Sequence, residues 1–402
     1  ASAPLKLRYR KASLARRLFV GLRIPSPALE KHTLDRYLEV LGDMGVPVVH
    51  PGPELGDWKS APEGPRLKGP LKVCLLQTAF LGDCVLTLPL LKKISETFPG
   101  AKVSVVTRPE TAGVFAASGL ASEIIEDRKK TAPSGLSEFR RLAAELRSRS
   151  FDAAIIPHRS LRSALLAWRA GIPVRVGFSS SAGGMFLTHK VQFSWLLHDV
   201  ERNLALLSPL AADLKAPFPG LKPGGGAPFT PSDGVVAGIN AGSAWPTKRW
   251  PQRNWAGLIK RLTARGGRVL LVGGPGEKEW NAGIERLAGP ERCLNLTGRT
   301  TMPELMEAIR PLKVFISNDS GPMHIAAALG VPAVGIFGPT TRELGFFPYG
   351  PGNAVVETPL ACRPCALHGS KRCPRGHFLC MNLLTVDEVY KAAERKLAER
   401  KI

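Results

Sequence analysis

The chain has 402 residues, 44% of them hydrophobic and 22% charged, which fits a soluble globular protein of about two domains and excludes a disordered one. Its formal charge of +22 predicts attraction to something anionic: nucleic acid, an anionic membrane surface or an acidic substrate. No apolar run approaches the ~20 residues of a spanning helix, and the basic N-terminus lacks the apolar centre of a secretory signal, so we expect a cytoplasmic protein that meets a membrane only from the inside.

Residues Lys6 to Arg23 hold seven basic residues and no acidic one, interleaved with Leu, Tyr, Phe and Val. This reads as a basic amphipathic surface segment or as a solvated basic tail. A helix is expected from His32 to about Gly45, and its His32–Leu38 pattern returns weakly at His198–Leu204. Pro47 to Pro70 is rich in Pro and Gly and reads as a linker, so residues 1–70 form a basic extension. The first core strand is Leu71–Gln77. A Gly-containing turn and a helix from Val85 to Phe98 follow it, the entry to a doubly wound sheet. Ala101–Thr107 and Phe151–Pro157 are further strands, the latter followed by His158-Arg159-Ser160. Lys215 to Gly234 is the natural interdomain linker. A strand recurs at Val235–Asn240 and a strand with its loop at Arg268–Pro275, with a helix near Gln252 between them, and Thr385 opens a terminal helix. The expected division is 71–220 and 235–384, two Rossmann-like α/β domains facing a cleft, with a C-terminal helix over 385–402.

Val314 to Phe337 carries the most information. It reads as a buried strand, a polar turn, a short helix and a second buried strand. Asn318, Asp319 and Ser320 are N-cap residue types, Pro322 suits a first helical turn, and Gly330 suits a C-cap at positive φ. Gly321-Pro322 leaves backbone N–H groups free at a positive helix end, with no bulky side chain over Gly321, which is a site for phosphate; an ordinary capped βαβ turn is the plainer reading. Asp83, just past the first strand, is placed either to take a proton or to cap the next helix. Lys248 either pairs with a phosphate or is one exposed lysine among many. Thr78 to Asp83 is not the Gly-x-Gly-x-x-Gly turn of a dinucleotide oxidoreductase.

Of seven cysteines, Cys74, Cys84 and Cys293 read as buried thiols. Cys362-x2-Cys365-x7-Cys373-x6-Cys380, with His368 and His377 among them, is compatible with a structural zinc. Packed reduced thiols are the preferred reading.

Asn318-Asp319-Ser320-Gly321-Pro322-Met323-His324, followed by Gly335-Ile336-Phe337-Gly338-Pro339-Thr340, resembles the donor-site signature of the bacterial heptosyltransferases, the family 9 glycosyltransferases. The resemblance spans about residues 71–395 and is nearest the heptosyltransferase II type. It implies the GT-B architecture and an inverting transfer of heptose from ADP-heptose to a lipopolysaccharide inner-core acceptor, with no cofactor required. It makes Asp83 of Leu81-Gly82-Asp83 the catalytic base, Ser243 and Lys248 the diphosphate-binding element, and Glu277 the contact to the nucleoside. Asp319, Ser320, Gly321 and His324 match the donor signature, with His324 either a phosphate donor or a helix histidine. Arg159 and Arg162 are the expected acceptor-binding residues. Thr78-Ala79-Phe80 departs from the Ser-Ser of several members, which makes Phe80 a wall of the sugar pocket. The partners implied are an anionic glycolipid and the inner face of the inner membrane, for a monomer that binds no nucleic acid. A transferase of the same fold using another nucleotide sugar is the alternative, and a basic nucleic-acid-binding protein the more distant one; no RNA- or DNA-binding motif appears.

Overall fold

The computed structural model describes residues 71–210, 214, 220–223 and 234–399. The basic stretch Lys6–Arg23, the helix expected from His32 and the stretch Pro47–Pro70 lie outside the described residues, as do most of the linker Lys215–Gly234 and residues 400–402.

The first half runs β1 (Lys72–Leu76), α1 (Leu81–Leu86), α2 (Leu88–Thr97), β2 (Lys102–Thr107), α3 (Pro109–Ser118), β3 (Glu123–Glu126), α4 (Gly135–Arg149), β4 (Ala153–Ile156), α5 (Leu161–Arg169), β5 (Val174–Phe178), β6 (His189–Val191) and α6 (Asp199–Ala205). Its strands pair in parallel in the order β3-β2-β1-β4-β5-β6. The central strands are near-continuous runs of Val, Leu, Ile and Ala because helices cover both faces.

The helix expected over Val85–Phe98 is in fact two. Pro89 has no N–H to give and its ring would strike the carbonyl four residues back, so α1 stops and α2 restarts at Thr87. The Thr87 hydroxyl fills the junction, donating to Asp83 O at 2.7 Å and accepting from Gln77 Nε2 at 2.7 Å.

The second half contains β7 (Val235–Asn240), α7 (Gln252–Leu262), β8 (Arg268–Leu271), α8 (Lys278–Ala288), β9 (Cys293–Asn295), α9 (Met302–Ile309), β10 (Phe315–Asn318), α10 (Gly321–Ala328), β11 (Ala333–Phe337), β12 (Ala354–Glu357), the short α11 (Leu379–Asn382) and α12 (Val386–Glu399). Its order, β12-β11-β10-β7-β8-β9, is the same winding counted from β7. Trp250 and Trp255 are fully buried, edge to face at 5.2 Å. The Trp250 indole N–H donates to Leu384 O at 3.0 Å and ties the entry of α12 to this core.

In each sheet the winding reverses between the first and fourth strands, β1 and β4 or β7 and β10. The carboxyl ends of those strands open a crevice. The reversal sets Ser317 of β10 beside Asn240 of β7, so the turns after the two strands are neighbours.

The halves touch through α1 and α10. A Cβ on Gly82 would stand 2.9 Å from His324 Cδ2. They touch again through α6. The Arg202 guanidinium, 1% exposed, donates to Ser194 O at 2.8 Å and to Leu344 O at 2.9 Å. Asp199 N donates to Gly345 O at 2.8 Å, and His198 Nε2 lies 2.8 Å from Phe347 O.

Candidate active site

The polar turn after β10 does not cap α10 in the expected way. The Ser320 side chain does not close on the helix, and each of the three side chains bonds a group at the end of β7 or in the turns after it, Asp319 reaching Thr340 past β11 as well. Asn318 donates from Nδ2 to Ala241 O at 2.7 Å and accepts from Trp250 N at 3.2 Å. Ser320 Oγ accepts from Asn240 Nδ2 at 2.6 Å. Asp319 Oδ2 receives Lys248 Nζ and Thr340 Oγ1, each at 2.6 Å. Lys248 sits in the Pro246–Lys248 turn and is buried, so the exposed-lysine reading does not hold. Pro322 occupies the first turn of α10, and Gly330 adopts φ 73° past its end.

The expectation that no bulky side chain lies over Gly321 is corrected. A Cβ there would meet Leu81 Cδ2 and Cγ at 2.7 Å, so α1 of the first half closes over the start of α10. Glycine is required at that position because the Leu81 side chain packs onto it. His324, one turn further, is buried, and its Nδ1 has no hydrogen-bond partner. Burial pushes its pKa down to about 4, with Asp319 opposing and Lys248 adding to the shift. It is therefore a neutral imidazole and brings no positive charge to the site.

Ser243 is buried, its Oγ accepting from Trp245 N at 3.3 Å and its carbonyl from Arg249 Nε at 3.0 Å. Glu277 reaches back over the same turn. A Cβ on Gly242 would fall 1.9 Å from Glu277 Oε1. Glu277 Oε2 accepts from Gly274 N at 2.8 Å, and burial raises its pKa against that hydrogen bond and the charge of Arg249.

Asp83 lies in the first turn of α1, and its Oδ2 accepts from Phe80 N at 3.0 Å. The helix-end role read from sequence is thus real. The same carboxyl is pushed up to about 7, first by burial and then by the neighbouring charge of Asp199, while the Phe80 N–H, Lys248 and Arg108 oppose the shift. A carboxyl with that pKa is poised to exchange a proton near neutrality.

Arg159 and Arg162 diverge. Arg159, at the end of β4, stacks over Phe193 at 4.1 Å and Trp195 at 5.3 Å, and has no carboxylate partner among the described residues. Arg162 makes a fork with the buried Asp127, one arm at 3.1 Å. Its charge is spent inside the first half.

Sequence reasoning missed four groups. Arg108, at the end of β2, donates to Ala79 O and lies 5.7 Å from the Phe80 ring, with its Nε buried and unpartnered. His158 faces Thr78 Oγ1 at 3.4 Å, and the His368 ring lies tilted 6.0 Å from the half-exposed Phe80. The fourth is Asp199. Arg108 and His158 follow strands that flank β1, and that adjacency was the signal available.

Among the described residues no three His, Cys, Asp or Glu side chains are placed to hold a metal. Cys362 Sγ lies 3.9 Å from His377 Nε2, and Cys365 Sγ points at Pro339 O at 3.7 Å.

Residues 139–374 match glycosyltransferase family 9 (heptosyltransferase). The chain is 29% identical over 299 residues to lipopolysaccharide heptosyltransferase 2 of Escherichia coli K12, covering 68% of this chain and 84% of that protein. Its fold matches the family 9 glycosyl transferase of Veillonella parvula with a TM-score of 0.70 at 24% identity, over 82% of this chain and 97% of that one. It also matches Escherichia coli ADP-heptose lps heptosyltransferase II with a TM-score of 0.67 at 22% identity, over 83% and 100%. Two doubly wound sheets with their switch points facing each other are the GT-B architecture, and the chain belongs to glycosyltransferase family 9.

Proposed function

We propose that the chain moves a heptose from ADP-heptose, with inversion, to a hydroxyl of a phosphorylated lipopolysaccharide inner-core acceptor. Family membership supports the reaction class, and the names of the Escherichia coli relatives support donor and acceptor. The observation that carries the reading is the placement of Asp83, with its raised pKa, at one switch point and the Lys248–Asp319 pair at the other.

The Asp83 carboxylate takes the proton of the acceptor hydroxyl as its oxygen bonds to the anomeric carbon. The bond from that carbon to the diphosphate breaks on the opposite face, and its electron pair leaves on ADP. Lys248 has three N–H groups and gives one to Asp319, which leaves donors for the diphosphate; the positive end of α10 adds to them. Because Leu81 covers Gly321, the diphosphate arrives from the Lys248 side, beside Ser243 and Ser320. Glu277 accepts the ribose hydroxyls. His324 fills the wall behind the sugar as a neutral ring. Arg159 and Arg108 receive the anionic groups of the acceptor, and Arg162 is left out because Asp127 holds it.

In this reading residues 71–220 bind the acceptor and 235–384 the donor. The protein is a monomer at the inner face of the inner membrane and does not bind nucleic acid. Charge on the leaving group is met by protein cations, and Cys362, Cys365, Cys373 and Cys380 are reduced thiols, with no zinc in the protein as purified.

The test is a screen of ADP-heptose against UDP- and GDP-sugars with a deacylated core acceptor, read by nucleotide release. ADP release that needs both ADP-heptose and acceptor is expected. Preferential release of UDP or GDP transfers the reading to another nucleotide sugar.

A further inference from the structure

Helix α5 carries an apolar stripe on its outer side: Leu161, Leu165 and Trp168, spaced i, i+4 and i+7. Leu161 is 47% and Trp168 48% exposed. Beside them the turn Gly184–Phe186 lifts Met185 to 81% exposure. These are one surface. The Trp168 and Phe186 rings stand 5.3 Å apart, and a Cβ on Gly183 would lie 2.5 Å from Ala164 Cβ and 3.2 Å from Leu161 Cα. A contiguous apolar patch kept in water marks a surface made to meet something.

Charge identifies the occupant. From Ala153 to His198 the chain has no Asp or Glu and five Lys or Arg. Arg147 reaches across to Arg169 O at 2.5 Å, and both are exposed without a carboxylate partner among the described residues. Arg175 Nε donates to Phe186 O at 2.6 Å under the same turn. A second copy of the chain would bring its own +22 against these cations. An anionic bilayer brings the opposite charge and an apolar interior.

Position adds the use. Helix α5 begins two residues after Arg159, which feels the charge of Asp83, and its nine residues rise only ~13 Å. A bilayer on this face holds an acceptor's lipid in place while its sugars reach the cleft.

We propose that Leu161, Trp168 and Met185, framed by Arg147 and Arg169, dock the enzyme on an anionic bilayer; this rests on the glycolipid-acceptor reading above. The apolar tips enter the interface and the guanidinium groups stay among the headgroups. Attachment of this kind is reversible and weakens with salt.

The test is co-sedimentation of the full chain with phosphatidylcholine vesicles, with and without phosphatidylglycerol. Wild type is compared with Met185→Glu and with Met185→Glu/Trp168→Gln. Met185 is almost wholly exposed, so the single variant folds. We expect anionic-vesicle binding at least ten-fold weaker in both variants, with turnover of a soluble deacylated acceptor unchanged. Binding within two-fold of wild type overturns the proposal. So does a wild-type dimer in sedimentation velocity that Met185→Glu dissolves, which would make the face a contact between copies. Wild type inactive on the soluble acceptor defeats the functional reading instead, and leaves the vesicle result to decide docking by itself.

Discussion

Lys248 Nζ and Asp319 Oδ2 stand 2.6 Å apart although 71 residues separate them in the chain, and both side chains are nearly removed from solvent. Removing one member of such a pair strands the other charge, at a cost of ~3–5 kcal/mol, whereas replacing both with apolar groups is far milder. Lys248→Ala and Asp319→Leu are each expected to lower Tm and weaken ADP binding. The double variant Lys248→Met/Asp319→Leu should recover Tm but not ADP affinity. Burial also limits screening, so the loss in Lys248→Ala should persist at high salt. Thermal melts and ADP titrations at two salt concentrations check this, and recovery of ADP affinity in the double variant would remove Lys248 from the donor site.

The pKa of about 7 at Asp83 predicts turnover that rises through neutrality as the carboxylate forms. Asp199 is the second cause of the shift, so Asp199→Asn should move the acid limb of kcat/KM to lower pH. Burial, the first cause, keeps it above the ordinary carboxylate range. Asp83→Asn should lower kcat by ~10²–10⁴-fold.

Stability should move the other way. The unfolded chain releases the Asp83 proton in the ordinary range, the folded chain only near 7. In that window the folded state binds more protons, so this residue makes folding less favourable as pH rises. Asp83→Asn is expected to raise Tm at pH 8 and to match wild type near pH 4. Equal Tm values at pH 8 would show that folding does not raise the pKa of this carboxyl.

Gly321→Ala drives a methyl into Leu81 and pushes α1 from α10. Turnover should fall, and Leu81→Ala should restore part of it, giving non-additive effects in a double-mutant cycle. Additive losses would place the two residues out of contact in the working enzyme.

The two arginines once paired as acceptor ligands should separate cleanly. Arg159→Ala and Arg108→Ala are expected to raise the acceptor KM and leave the donor KM alone. Arg162→Ala strands the buried Asp127, so it should lower Tm with little change in acceptor KM. Initial-rate kinetics on all three variants distinguish the roles.

Much of this was legible from local chemistry. The strand–turn–helix–strand pattern of Val314 to Phe337, Pro322 in a first turn and Gly330 at positive φ were written in residue types whose preferences act within a few positions. The break at Thr87 was legible too, since Pro89 forbids the longer helix, but the apolar run hid it. What escaped was decided by strand order and by the meeting of the halves. Leu81 over Gly321, Asp199 beside Asp83 and Asp127 on Arg162 are pairings between distant segments, and no periodicity announces them. The caps expected from Asn318 to Ser320 failed for the same reason: a nearer partner on the next strand outbid the helix end.

The hydrogen bonds by which α6 grips the second half are made on main-chain atoms, beside ring contacts of His198 with Phe347 and Tyr349. Arg202 holds Leu344 O, His198 meets Phe347 O, and Asp199 N reaches Gly345 O. Carbonyls look alike whatever side chain they carry, so these hydrogen bonds survive a change of residue in the loop, provided Gly345 keeps its φ of 78° and its lack of a Cβ, which would stand 2.7 Å from Arg202 Nη2. Halves taken from different family members should therefore keep these main-chain bonds, while side-chain contacts such as the rings around His198 and the seating of Leu81 on Gly321 have to be matched. If the second half binds the donor, as proposed above, exchanging that half should carry donor choice with it while acceptor choice stays where it was.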